Sequence, residues 1–206
     1  MSTSAGSIAA VLWDADGVLQ HHRGDWVAKM RALGGDHLPE ALWQAEGPAL
    51  RGDEPFTDGI RRALATLQLS DHFTAIVDSW THVDADPAAF ALVDRVRAAG
   101  TLCALASNQH DERRRHMVEQ MGYADHFDRL YFSSDLRVAK PEPEFFEAIA
   151  ADLELPASDL LFIDDLEMNV QAAREVGLHA VRHDPDDGAE GLQRILTRYG
   201  VRLEPR

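Results

Sequence analysis

The chain has 206 residues, 45% of them apolar, with 35 acidic side chains against 20 basic ones and a formal net charge of −15. That length suits one α/β domain with room for a smaller insertion, and that charge excludes nonspecific attraction to nucleic acid or an anionic membrane surface. With one cysteine there is no internal disulfide, and no stretch approaches the ~20 apolar residues of a membrane span.

Residues 1–7 lack the basic and apolar regions of a secretion signal and read as a frayed tail, so a reduced, cytoplasmic setting is expected. The apolar run from Ile8 to Trp13 then has strand character and stops abruptly at Asp14-Ala15-Asp16-Gly17. Desolvating an acid at the end of a buried strand is costly unless the charge is paired or bound to a metal. Two Asp at spacing i, i+2 on extended backbone point the same way, and a divalent cation would relieve their repulsion. Asp and Gly also serve turns, so the pair acquires meaning only from the rest of the chain.

Residues 26–33, 39–46, 57–67 and 71–82 read as helices joined at Gly34-Gly35, Gly47-Pro48 and 51–55, with no strand candidate among them. His21-His22 at the junction reads as a polar linker, and Arg51 as a solvated side chain. From 88 onward the pattern alternates: helix 88–99, strand 102–106, helix 111–121, strand 130–132, helix 142–153, strand 160–163, helix 167–176, strand 178–181, helix 188–199. Such alternation predicts a doubly wound parallel sheet with helices on both faces, an α/β fold. The helical segment 20–85 then forms a cap domain inserted into a core made of 1–19 and 86–206. Cys103 lies in an apolar strand and reads as packing, as do Trp13, Trp26, Trp43 and Trp80.

In open α/β sheets ligands bind beyond the carboxyl ends of the strands. Those ends carry Asp14 and Asp16, then Ser107 and Asn108, then Asp164 and Asp165 with Asn169 one turn on, while Lys140 precedes the 142–153 helix. The carboxylates make a hard oxygen cage suited to Mg2+. A lysine, a hydroxyl, an amide and a helix N-terminus offer places for phosphate oxygens. There is no Gly-x-x-x-x-Gly-Lys loop and no zinc-spaced His/Cys cluster.

Asp14-Ala15-Asp16-Gly17-Val18, Ala106-Ser107-Asn108, Ala139-Lys140-Pro141 and Phe162-Ile163-Asp164-Asp165 with Asn169 resemble, in order and spacing, the four motifs of the haloacid dehalogenase-like hydrolase superfamily. The resemblance covers essentially the whole chain, and 20–85 is similar to the helical cap of that superfamily's phosphatase-rich branch. It implies a Rossmann-like core and a magnesium-dependent phosphatase acting on a small phosphorylated metabolite through an aspartyl-phosphate. It further implies Asp14 as nucleophile, Asp16 as acid and base, and Lys140 as the balancing cation. Ser107, Asn108 and Lys140 would hold the phosphoryl group. The metal would rest on Asp14, the Asp16 carbonyl and Asp165, with Asp164 binding directly or through water. Asn169 would orient Lys140 or an acidic ligand.

Alternatives on the same fold are a 2-haloacid dehalogenase, which needs neither metal nor an acid two residues on, and a sugar phosphomutase. From another class comes a non-catalytic phospho-acceptor or binding module, whose acidic pair would sit on the first strand. The sequence names neither the substrate nor the oligomeric state.

Overall fold

The computed structural model describes residues 7–204, so all but the last residue of the expected N-terminal tail falls outside the described residues. Strand β1 (Ala10–Trp13) ends at the acidic turn. A short strand β2 (Gln20–His22) opens the cap, followed by helices α1 (Trp26–Gly34), α2 (Leu38–Leu50), α3 (Phe56–Thr66) and α4 (Phe73–Ser79). Strand β3 (Val83–Ala85) closes the cap, and α5 (Pro87–Ala98) returns the chain to the core. There follow β4 (Leu102–Ser107), α6 (Asp111–Glu119), α7 (Tyr123–His126), β5 (Arg129–Phe132), α8 (Ser133–Leu136) and α9 (Pro143–Leu153). The chain ends with β6 (Leu160–Asp164), α10 (Glu167–Glu175), β7 (His179–Arg182) and α11 (Gly188–Arg198).

The main sheet has the order β5-β4-β1-β6-β7, with each adjacent pair parallel. Strand β1 is central: Val11 lies between Cys103 and Leu161, and Trp13 between Leu105 and Ile163. The chain builds outward on one side through β4 and β5, then crosses to build the other side through β6 and β7. This change of direction opens a crevice at the carboxyl end of β1, where this architecture places ligands.

Both faces of β1 are buried, so its residues run apolar without alternation. Val11 and Trp13 join Val93, Val96, Leu192 and Leu196 on the face covered by α5 and α11. Ala10 and Leu12 join Phe145, Phe146, Ile149 and Val170 on the face covered by α9 and α10. Cys103 is fully buried, and its thiol is pushed up to about 12 by burial, which fits packing and leaves it inert as a nucleophile. Among the described residues no helix is long and apolar enough to cross a membrane.

The cap has its own core, with Leu38, Leu42, Phe56, Ile60, Leu64 and Ile76 fully buried. Two features differ from the sequence reading. First, the cap starts and ends on an antiparallel ribbon, Gln20 opposite Ala85 and His22 opposite Val83, so His21-His22 belongs to a strand. Three-residue strands are too short to show a period-2 pattern; pairing across 60 residues of intervening chain creates them. Second, α2 runs through Gly47-Pro48, which reads as a joint in sequence. Pro48 sits in the last turn, and its carbonyl accepts from Arg51 N and Asp53 N, so the helix ends after the proline and not before it.

Cap and core touch along one seam. Arg51, exposed as the sequence suggests, also pairs with Glu142. Arg137 donates to the Gly52 carbonyl at 3.0 Å, and the Phe56 N–H donates to Asp111 at 3.0 Å. The Phe56 ring stacks on His110 with centroids 3.6 Å apart.

Candidate active site

The turn after β1 depends on Gly17. Its φ of +73° suits glycine, and a Cβ there would lie 2.6 Å from an Asp165 oxygen. The loops after β1 and β6 therefore meet where the Asp165 side chain packs against the bare Gly17 backbone, and this brings four carboxylates to one end of the sheet.

Lys140 lies between two of them. Its ammonium is 2.8 Å from Asp14 Oδ1 and 2.7 Å from Asp164 Oδ2, and all three side chains are buried. Burial alone would lower the lysine's pKa, but the two carboxylates outweigh it and the ammonium is held charged. Asp14 is pushed up to about 7 by burial, which Asp164 reinforces and Lys140 opposes. Asp165 is half-buried, and burial together with neighbouring Asp164 raises it to about 6. Ligand oxygens of Asp14, Asp164 and Asp165 all lie within 4.8 Å of one another. Three acids with one buried cation remain under-neutralised, and the donor set is all hard oxygen, so the residues present fit Mg2+.

Asp164 is fully occupied. Besides Lys140, its carboxylate accepts from Asn169 Nδ2 at 3.0 and 3.1 Å and from the Leu166 N–H at 2.8 Å. Its neighbour Asp165 is the more accessible of the two. Asn169 thus touches the acid and not Lys140. Asn108 turns its amide onto the Lys140 peptide, donating to the carbonyl at 2.9 Å and accepting from the N–H at 2.9 Å. That engagement fixes the lysine's loop and leaves the second Nδ2 hydrogen of Asn108 uncommitted. Ser107 Oγ accepts from Gln109 Nε2 at 3.1 Å, leaving its own hydrogen free to donate.

Asp16 is held by residues the sequence reading missed. Arg113 Nη2 is 2.5 Å from Asp16 Oδ1, Gln109 Nε2 2.9 Å from Oδ2, and Gln20 Nε2 3.1 Å from Oδ1. Tyr123 in turn donates to Gln20 Oε1 at 2.8 Å. Burial works against ionisation here, yet Arg113 and the donors outweigh it, holding the carboxyl below the usual range. A signal was available: Gln109 and Arg113 follow Ser107 directly on the β4–α6 loop and first helical turn, and Gln20 is four residues past Asp16.

Above Asp16, between core and cap, lies a cavity of about 440 Å³. Its walls include His22, Trp26, Trp43, Glu46, Trp80, Asn108 and Arg113. Trp26 packs on both Trp43 and Trp80, as the sequence suggests, and all three also line this space. Burial pushes the Glu46 carboxyl up to about 7 against the pull of Arg113 and the Trp80 N–H.

Comparison with known proteins identifies the family. A model of the haloacid dehalogenase-like hydrolases matches residues 8–177. The chain belongs to that family. Over 73 residues, 35% of this chain, it is 34% identical to a D-ribitol-5-phosphate phosphatase of Bacteroides thetaiotaomicron, spanning 34% of that enzyme's length. With a phosphoglycolate phosphatase of Nitrosospira multiformis it shares 27% identity over 84% of this chain and 81% of the relative. Its fold matches a haloacid dehalogenase-family enzyme from B. thetaiotaomicron, solved with magnesium and inorganic phosphate, at a TM-score of 0.72 and 25% identity, covering 85% of this chain and 94% of that one. The L-2-haloacid dehalogenase of Xanthobacter autotrophicus shares the fold at a TM-score of 0.64 and 21% identity, covering 97% and 90%.

Proposed function

We propose that this hydrolase is a magnesium-dependent phosphatase that cleaves a small phosphomonoester through a phosphorylated Asp14. The observation that carries this reading is the buried Asp14–Lys140–Asp164 array with Asp165 beside it: a nucleophilic carboxylate within 2.8 Å of a fixed cation, in an acid cluster fit for Mg2+. The reading is supported by the phosphatases among the relatives and by the magnesium and phosphate in a solved relative. Magnesium, held by Asp14, Asp165 and the Asp16 backbone carbonyl, would supply positive charge that offsets repulsion between an anionic nucleophile and an anionic phosphate.

The chain's own groups supply the rest. Lys140 steadies the Asp14 carboxylate through Oδ1, leaving Oδ2 to attack phosphorus as the ester P–O bond breaks. Ser107 donates its free hydrogen to the phosphoryl group. Asp16 gives a proton to the departing alkoxide, then takes one from the water that hydrolyses the aspartyl-phosphate, regenerating Asp14 and releasing phosphate. Its three donors hold it ionised in the resting chain, the form that serves the second step. An arriving phosphate dianion favours the protonated form needed for the first. Asn169 and the Leu166 N–H keep Asp164 oriented toward Lys140.

The dehalogenase reading has no use for Asp16 or for the Asp164-Asp165 pair. The deciding assay measures turnover of p-nitrophenyl phosphate and a panel of phosphometabolites with magnesium and with EDTA, beside chloride release from 2-chloropropionate without metal. Phosphate release that EDTA abolishes is expected. Chloride release with no phosphate release on any substrate would overturn the proposal.

A further inference from the structure

We propose that the cavity under the cap accepts the alcohol half of a phosphomonoester whose alcohol is an uncharged polyol or sugar, recognised by Glu46 and the Trp26–Trp43 surface, and that it rejects alcohols carrying a second anionic group. This rests on the phosphatase reading above and goes on to choose among its substrates.

The cavity opens directly above Asp16, so whatever leaves phosphorus must occupy it. Its volume of about 440 Å³ suits a ligand of metabolite size. Trp26 and Trp43 have centroids 5.7 Å apart with their rings inclined by only 31°, forming one continuous aromatic wall. Trp43 remains 45% exposed, an unusual position for an indole unless something packs on it. A C–H face of a polyol or sugar ring is such a partner. Trp80 stands edge-on to Trp26 at 4.8 Å and is itself buried, so the indoles make a wall and not an enclosing cage of the sort that favours ammonium groups.

Glu46 stands on the same wall with its side chain only 16% exposed. Trp80 Nε1 donates to its Oε1 at 3.3 Å, and His110 Nε2, otherwise unpartnered, lies 3.8 Å from that same oxygen. Among the described residues Oε2 takes no hydrogen bond, so one carboxylate oxygen is open to a donor in the cavity. A hydroxyl meets that need.

Charge decides the exclusion. Among the described residues the ionisable side chains lining the cavity besides His22 are three acids, Asp16, Asp25 and the raised Glu46, and one cation, Arg113. Arg113 is already paired with Asp16, and His22, lowered by burial and by Arg113, is neutral. A carboxylate or second phosphate on the alcohol would meet an excess of acid and no free cation.

The test compares kcat/KM, with magnesium, for sorbitol 6-phosphate, 2-phosphoglycolate, phosphoethanolamine and acetyl phosphate, the last being too small to reach the cap. Sorbitol 6-phosphate is expected to exceed phosphoglycolate by at least about a hundredfold. Glu46→Met and, as an exposed change that spares folding, Trp43→Ala should each cut the sorbitol 6-phosphate to acetyl phosphate ratio by about tenfold. Equal or better turnover of phosphoglycolate or phosphoethanolamine, or variants that lower sorbitol 6-phosphate and acetyl phosphate turnover alike, would overturn the assignment. Absence of enzyme-catalysed phosphate release from every one of these compounds in the wild type, acetyl phosphate included, would overturn the phosphatase reading and this one with it.

Discussion

Arg113 and Asp16 form an ion pair at 2.5 Å, with the guanidinium almost wholly buried and the carboxylate facing the cavity. The acid proposed to exchange protons with substrate is thus fixed from the side by a residue six positions beyond Ser107 in sequence. Arg113→Met leaves Asp16 only the two glutamine amides. Displacement of a reacting group by about 1 Å can cost about a hundredfold. Turnover of an alkyl phosphate by Arg113→Met is expected to fall by roughly 10- to 100-fold while the fold, followed by thermal denaturation, persists. Wild-type kcat in a folded variant would show that Asp16 needs no such anchor.

Asp16→Asn separates proton transfer from metal binding, since the expected metal contact at this position is a backbone carbonyl. General acid–base assistance is worth roughly 10²–10⁴-fold. Its loss should fall more heavily on an alkyl phosphate than on p-nitrophenyl phosphate, whose leaving group departs without a proton. Magnesium affinity, measured by calorimetry, should change little. A large loss of affinity would mean that the side chain itself is a ligand.

Asp14 ties metal binding and stability to pH. Its folded pKa of about 7 lies above the ordinary carboxylate value of 3.8, so without metal the folded chain binds this proton more tightly than the unfolded chain. The resulting stabilisation is complete below about pH 4 and is lost as pH rises through 7. In EDTA, the melting temperature is therefore expected to carry a component that falls between pH 5 and 8 and vanishes in Asp14→Asn. At pH 8 that variant should melt above wild type by ~2–4 °C for each kcal/mol of relieved strain. Because a proton competes with the metal, magnesium affinity should weaken as pH drops below 7. A pH-independent affinity between 6 and 8 would refute the assignment of Asp14 as a ligand.

Gly17→Ala and Asn169→Ala probe the support of the acids. At Gly17 an added methyl meets positive φ and an Asp165 oxygen 2.6 Å away, so Asp165 must move. Strain of that kind costs roughly 1–3 kcal/mol, and magnesium affinity should drop with it. Asn169→Ala removes two of the hydrogen bonds on Asp164, and such outer contacts are typically worth 10–100-fold in activity or metal affinity. Unchanged magnesium binding in both variants would separate these residues from the site.

The core was legible because each strand is a short apolar run and its polar residue stands immediately after it: β1 then Asp14, β4 then Asn108, β6 then Asp165. Chemistry concentrated at strand ends survives in a one-dimensional reading. The ribbon formed by β2 and β3 did not, since neither strand carries a pattern of its own and each exists through the other. The grip on Asp16 survived only as proximity, Gln20 standing near Asp16 and Gln109 and Arg113 near Ser107, with nothing to show which side chains turn inward. Arg113 lies in a helix full of charged residues, among Arg114 and Arg115, and only the packing of α6 beneath the cap distinguishes the buried arginine from its solvated neighbours. Trp43 and Glu46 were hidden for the same reason: helical periodicity shows which face is apolar, while the position of α2 over the core decides what that face covers.

The central claim is that Asp14 carries the phosphoryl group. Acid-quenched single turnover with magnesium and a phosphoryl-labelled alkyl phosphate tests it most directly. Label is expected on the peptide containing Asp14 within the first turnover, with neither label nor phosphate release in Asp14→Asn. Label on another residue, or wild-type turnover by Asp14→Asn, would contradict it.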